Sequence, residues 1–180
     1  MSIALADFGS EILDDPAADP AIVRESLRNI ARSNRWFGGR GAVRFGLAQF
    51  AQGGRATILD IGTGLGDLPR DLVRWGARRG WPLVPVAVDR SLEAARLAGT
   101  AGIPTAVACA GALPVRDGSV DIVLLSQLLH HLSRDAAAGL LRECARVARR
   151  GIVVADLRRH RLAVAGFWLG SRLLRFDAAT

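Results

Sequence analysis

Between Asp60 and Asp67 the chain sets three glycines at alternate positions, Gly62, Gly64 and Gly66, with Thr63 and Leu65 between them. Glycine accepts the left-handed backbone of a tight turn and lets a ligand come close to the main chain. The apolar run before the turn, Ile58 to Ile61, reads as a strand, and Leu68, Leu72 and Trp75 after it keep helical spacing. A helix starting here points its unpaired N–H groups back at the turn. That is the layout of a cofactor loop, and its charge narrows the choice. A dinucleotide loop is written G-x-G-x-x-G and lays a pyrophosphate on the helix N-terminus. Here the spacing is G-x-G-x-G, and Asp67 stands where the late glycine would be. Two carboxylates repel a pyrophosphate and attract a cation, so the loop calls for a cofactor with positive charge and no phosphate.

A further acid, Asp89, ends the apolar run Val84 to Val88, 23 residues after Gly66. In doubly wound sheets an acid about 20 residues past the glycines accepts from the ribose hydroxyls. The plainer alternative is a solvent-facing strand end, and Arg90 beside it either flanks an adenine or is solvated. After the fourth strand comes Ser126-Gln127-Leu128-Leu129-His130-His131-Leu132. Ligands in open α/β sheets bind beyond the carboxyl ends of the strands, at the switch point that strands 1 and 4 flank. Ser126 and Gln127 are therefore placed at the cofactor. His130 or His131 is a candidate general base, the alternative being a capping or core-packed histidine. Asp156, at the end of the fifth strand, either orients a substrate or a catalytic histidine or caps the last helix. No Cys/His/Asp/Glu set has metal-ligand spacing, and no G-x-S-x-G, P-loop or H-E-x-x-H motif occurs.

The elements that must hold these residues alternate in type from Ile58 onward, which predicts a parallel sheet. Strands are expected at about 57–61, 84–88, 105–108, 120–125 and 152–155, in the order 3-2-1-4-5. Helices are expected at about 67–79, from a Ser91 cap to about 98, and from a Ser133 cap to a stop at Gly151. A last helix, about 161–175, carries Phe167, Trp168 and Leu169. Upstream, Asp19-Pro20 opens an amphipathic helix that ends near Asn34. Trp36, Phe37 and the glycines 38, 39 and 41 then form either a hydrophobic staple and hinge or an aromatic lid over the site, followed by a short helix at 43–52. This divides the chain into an N-terminal helical lid, 1–54, and a core, 55–180, within one domain.

Taken together, Asp60 to Asp67, Asp89, the segment Ala108 to Asp121 with its L-P, D-G-S and V-D elements, and His130-His131-Leu132 resemble the class I S-adenosyl-L-methionine (SAM)-dependent methyltransferases, specifically the small-molecule enzymes similar to ubiquinone/menaquinone methylases. The resemblance implies a Rossmann-like doubly wound α/β sheet with SAM as cofactor. It implies transfer of the sulfonium methyl to a small molecule, such as a phenolic or polyketide-like hydroxyl. It also puts Cys109 where the family has an acid on the adenine amino group, so the backbone near Ala110 is left to hold the adenine edge. The family's sheet continues into a C-terminal β-hairpin for which no residues follow Thr180. The expectation is a sheet lacking that hairpin, with an exposed fifth-strand edge prone to self-association. Two rival classes stay open, a non-catalytic or truncated SAM-binding module and an NAD-dependent oxidoreductase.

Composition sets the remaining bounds. The net charge is +7, and all 24 basic residues are arginine. They are spread along the chain without interleaved aromatics, which disfavours a nucleic-acid partner. Cys109 and Cys144 lie far apart, which points to free thiols and a cytoplasmic location. No apolar run approaches the roughly 20 residues of a membrane span.

Overall fold

A computed structural model describes residues 19–36, 39–50 and 54–156. Phe37, the expected last helix and the side chain of Trp36 lie outside the described residues. The first helix, α1, spans Pro20–Trp36. Its cap is the expected one, with the Asp19 carboxylate accepting the Ala21 N–H at 2.7 Å. The second, α2, spans Gly39–Ala48 and so begins earlier than the expected 43–52. Gly39 and Gly41 belong to it and are no hinge. Each interior glycine costs a helix about 1 kcal/mol, but Val43 and Leu47 are fully buried on the sheet, and that burial outweighs propensity.

The five strands are β1 (Ala56–Ile61), β2 (Leu83–Asp89), β3 (Thr105–Val107), β4 (Val120–Ser126) and β5 (Ala148–Ala155). They pair in parallel in the order β3-β2-β1-β4-β5, the Rossmann-like arrangement expected. Helices α3 (Asp67–Ala77), α4 (Leu92–Thr100) and α5 (Arg134–Val147) connect them. The hydroxyls of Ser91 and Ser133 cap α4 and α5 as expected, each accepting a backbone N–H at 3.3 Å. On one face Ala56, Ile58 and Ile122 pack against Val43, Leu47, Leu72 and Trp75. On the other, Leu59, Ile61, Val123 and Leu125 pack against Leu140, Cys144 and Val147. A parallel strand covered on both faces is apolar throughout, and this places β1 and β4 at the centre with their carboxyl ends fixed side by side. Among the described residues no strand pairs with the outer edge of β5, and no helix is long and apolar enough to cross a membrane.

A further boundary differs. α5 does not run to Gly151: it ends at Val147, and β5 starts at the next residue. Gly151 lies inside β5, paired with Ile122. A Cβ there would sit 2.6 Å from the Phe50 ring, so this glycine serves close packing and not a helix stop. Gly76, inside α3, is a stronger case. An added Cβ would lie 2.4 Å from the Trp81 carbonyl oxygen and 2.8 Å from Leu83 Cγ. That carbonyl is backbone, held by the turn in which the Trp81 N–H donates to the Gly76 oxygen at 3.0 Å. Gly76→Ala is therefore expected to destabilise the protein by about 1–3 kcal/mol, despite the helix propensity of alanine. Thermal unfolding of the variant beside Gly41→Ala, where a Cβ meets nothing within 4 Å, checks this: only the first should melt early.

Candidate cofactor site

The glycine turn sits at the carboxyl end of β1 with Gly62, Gly64 and Gly66 all at positive φ, between 55° and 73°. Gly66 has no room for a side chain, because a Cβ there would lie 3.2 Å from both Ala98 and Ile103. The turn is held from β2: Asp89 accepts the Gly64 N–H on Oδ2 and the Ser91 N–H on Oδ1, both at 2.9 Å. Asp89 is thus no solvent-facing strand end but a buried brace, 9% exposed. A carboxylate has about four acceptor sites, so two bonds leave capacity for a ligand. Arg90 beside it is exposed.

Asp60 is only 2% exposed, and burial, reinforced by the nearby charges of Asp67 and Asp89, pushes its carboxyl up to about 7. The Thr63 hydroxyl opposes this shift, although its approach stops short of a formed hydrogen bond. Asp67 is not a free carboxylate. Arg40 of α2 donates to it at 2.9 Å and lies 3.6 Å from Asp71, which Arg44 grips at 2.6 and 2.7 Å. The charge argument made from the loop is therefore corrected in its details: Arg40 neutralises Asp67, and burial favours the uncharged form of Asp60. For Asp60 the linkage has a definite sign. Its folded pKa lies above the ordinary 3.8 of an aspartate, so the folded state holds the extra proton, and stability falls as pH rises from about 4 to 7. Asp60→Asn removes that slope and should raise stability at pH 8 by a few kcal/mol. Melting both proteins from pH 5 to 8 checks it; parallel curves would exclude it.

The third side of the site comes from β4 and β5. Gln127, just past β4, holds φ at 52° without being glycine, and its N–H donates to the Ala155 carbonyl at 2.9 Å. A non-glycine residue in this region costs on the order of 1 kcal/mol and is common at ligand sites. A 3₁₀ turn, Leu129–His131, follows. Asp156 reaches it from the end of β5: Oδ1 lies 2.6 Å from His130 Nδ1, and Oδ2 accepts the His130 N–H at 3.2 Å. The His131 ring is exposed and leans on that of His130 at 3.9 Å. The structure thus brings His130 and Asp156 together, and leaves His131 as a neighbour of the pair. The hydroxyl of Ser126 is buried and has no hydrogen-bond partner among the described residues.

Cys109 is an exposed free thiol just past β3, and its carbonyl accepts the Ala112 N–H at 3.1 Å. The L-P and D-G-S elements that follow serve the loop. Glu143 accepts the Leu113 N–H at 3.0 Å, and Arg146 donates to the carbonyls of Val115 and Leu113 and to Asp117. Arg146 and that N–H hold the Glu143 carboxyl down at about 2. The sequence reading missed this bracket, and with it two residues of α1. Leu27 lies where a Gly64 Cβ would be 3.3 Å from it, and Ser26 is 4% exposed with its hydroxyl unpartnered among the described residues. Among the described residues no three His, Cys, Asp or Glu side chains gather as metal ligands.

SAM fits what lines this loop. Asp89 accepts, and the hydroxyls of Thr63 and Ser126, unpartnered among the described residues, can accept or donate, which suits a ligand carrying N–H and O–H groups. Arg40 is engaged by carboxylates.

No curated protein matches the chain. Among solved structures, one assigned as a SAM-dependent methyltransferase of Methanococcus maripaludis superposes with a TM-score of 0.58 at 14% identity, covering 96% of this chain and 76% of that one. A SAM-dependent methyltransferase from Aquifex aeolicus gives 0.56 at 20% identity, with 87% and 86% covered. A chain of the complex between the Haloferax volcanii Trm112 methyltransferase activator and an assigned methyltransferase gives 0.55 at 22% identity, over 72% of this chain. This chain spans only 55% of that last relative. At such identities these likenesses establish the fold. The family model for the methyltransferase domain matches residues 59–155, more than half of the chain and the stretch from the glycine turn to the end of β5, and the chain therefore belongs to that family.

Proposed function

We propose that the chain binds SAM across the carboxyl ends of β1, β2 and β4 and methylates a hydroxyl of a small-molecule acceptor. The observation that supports it most is Asp89, a carboxylate that braces the glycine turn through Gly64 and keeps acceptor capacity at the strand edge. In this reading Asp89 takes the ribose hydroxyls. Gly62, Thr63, Gly64 and Gly66 let the ligand approach the backbone, and Asp60, Asp67, Ser126 and Gln127 line the rest. Arg90, Cys109 and the backbone of Ala110 border the adenine. The lid role within residues 1–54 falls to α1, which lies against Gly64, because α2 is built into the core. When bound, SAM supplies an electrophilic methyl group.

The chain's own contribution is orientation and a base. Asp156 holds Nδ1 of His130 at 2.6 Å, so the ring presents Nε2 as the atom that takes the acceptor's hydroxyl proton. Asp156 then stabilises the imidazolium that forms. Because the chain covers about half of some relatives, the acceptor, the turnover of this chain alone and any pairing of the β5 edge with a second copy all belong to the proposal.

Calorimetric titration with SAM, S-adenosylhomocysteine and NADH tests the cofactor. The first two should bind and NADH should not; the reverse would restore the oxidoreductase alternative. Asp89→Ala should weaken SAM by about 1–3 kcal/mol. It should also lower the melting temperature, since two backbone donors lose their acceptor. An unchanged affinity would remove Asp89 from the site.

A further inference from the structure

We propose that the cofactor loop is proton-linked: SAM, a cation, enters beside a neutral Asp60 carboxyl and sends its proton to solvent, so that the loop holds SAM more tightly above neutral pH than below it. The proposal rests on SAM being the cofactor and adds a control of that site by pH.

The sheet puts Asp60 where a charge has no support. Side chains alternate along a strand, so Asp60 shares the face of Ile58, which α2 and α3 cover. Its register partners are Ala87 on β2 and Leu124 on β4, both buried and without a side-chain donor. A buried carboxylate stays ionised only beside a cation or several donors.

The charged groups around it supply neither. Asp89 at the end of β2 and Asp67 at the start of α3 bring two more carboxylates. Further along α3, Asp71 pairs with Arg44 of α2. Arg40 of α2 donates to Asp67 and lies 3.6 Å from Asp71. Arg70 on α3 and Arg90 past β2 are exposed. Past β4 the first titratable group is His130, which Asp156 holds. The buried side of α1 is neutral, with Val23, Ser26, Leu27 and Asn29, and its Arg24 reaches out to Glu93 of α4. The Thr63 hydroxyl favours the ionised form, but burial and the two acids outweigh it and hold the carboxyl at about 7.

SAM brings the missing charge. It carries a sulfonium and an ammonium against one carboxylate. An α-amino group titrates at about 7.7–8.0, so the ligand's own charge hardly changes between pH 5.5 and 7, and a pH dependence there belongs to the protein. The balance is one proton: neutral Asp60 and free SAM give the Asp60 carboxylate, bound SAM and a proton in solvent. Asp60 is neutral below about pH 7 in the free protein, so SAM affinity falls as pH drops below that value and levels off above it.

Titration calorimetry of the full chain with SAM, in buffers of different ionisation enthalpy, counts the protons. At pH 6.0 about 0.5–1 proton should leave per SAM bound, and less than half as many at pH 7.5. Over the same range, from pH 7.5 to 6.0, SAM affinity should fall by about five- to tenfold. 5′-Methylthioadenosine shares the adenosine and lacks both cations, so it should release no proton and bind alike at both pH values. Asp60→Asn keeps the shape without the titration; it should abolish the release and flatten the pH dependence, with thermal melting to confirm the fold. The wild-type proton count is decisive even where the variant binds weakly. SAM binding without proton release at pH 6.0, an equal pH dependence for methylthioadenosine, or release that persists in folded Asp60→Asn would each overturn the proposal. Failure of SAM to bind at either pH would instead strike the cofactor reading, and this proposal with it.

Discussion

His130→Asn is expected to lower turnover by about 10²–10⁴-fold, the usual contribution of a general base, while SAM binds as before. Asparagine keeps a side-chain N–H for Asp156 and removes the proton acceptor, so the variant isolates the base from the scaffold. The geometry behind this is the grip of one carboxylate on two parts of one residue: Oδ1 on the ring at 2.6 Å and Oδ2 on the backbone N–H at 3.2 Å. Ring and chain are fixed together, and only Nε2 is left to accept. Asp156→Asn should give a smaller loss with a changed pH–rate profile, since the imidazolium loses its counter-charge. The assay is methyl transfer from labelled SAM to a panel of phenols, with calorimetry on the same samples. Unchanged turnover in His130→Asn would return the pair to a structural role. Loss of SAM binding would instead implicate the loop.

The second large effect is expected at Gly64. Gly64→Val should abolish measurable SAM binding, a loss of about 100-fold or more. Valine at φ 55° costs at least about 1–2 kcal/mol in backbone energy. Its Cβ would press on Leu27 at 3.3 Å, and any relief moves the N–H that Asp89 accepts at 2.9 Å. Strain, lid contact and brace thus fail together. Gly80→Val is the control, because Gly80 has φ 67° with nothing within 4 Å of an added Cβ. It should lose similar backbone stability and keep its affinity. If Gly64→Val bound SAM as well as Gly80→Val does, the glycine turn would not be the cofactor loop.

Much of this fold could be read from the chain because its signals are local. Strands buried on both faces are continuous apolar runs, the serine caps stand three residues before the N–H groups they accept, and alternate glycines mark a left-handed turn. The switch point, and with it His130 and Asp156 at one edge, followed from strand order. What stayed illegible depends on groups far apart in sequence. Arg40 and Asp67 are 27 residues apart, and nothing in either segment says that one neutralises the other. The bracket from Arg146 to the 113–117 loop spans about 30 residues. Glycines misled in a second way: Gly151 and Gly41 read as punctuation, but Gly151 makes room for Phe50 and Gly41 lies within α2. Glycine marks a place where a side chain is absent; only the packing says why.

The junction of α5 and β5 carries a consequence for how this protein can change over generations. No linker separates them, and β5 opens on an irregularity, three residues from Ala148 to Gly151 against two from Val120 to Ile122. Beyond it the register is regular, so adding or deleting one residue between Gly151 and Asp156 turns the side chains that follow to the opposite face. Directly after Gly151, such a change would take Val153 out of the core and move Asp156 away from His130. Relatives that keep the Asp–His pair should therefore hold this stretch at fixed length and place their insertions elsewhere, for example at the exposed residues 78–80.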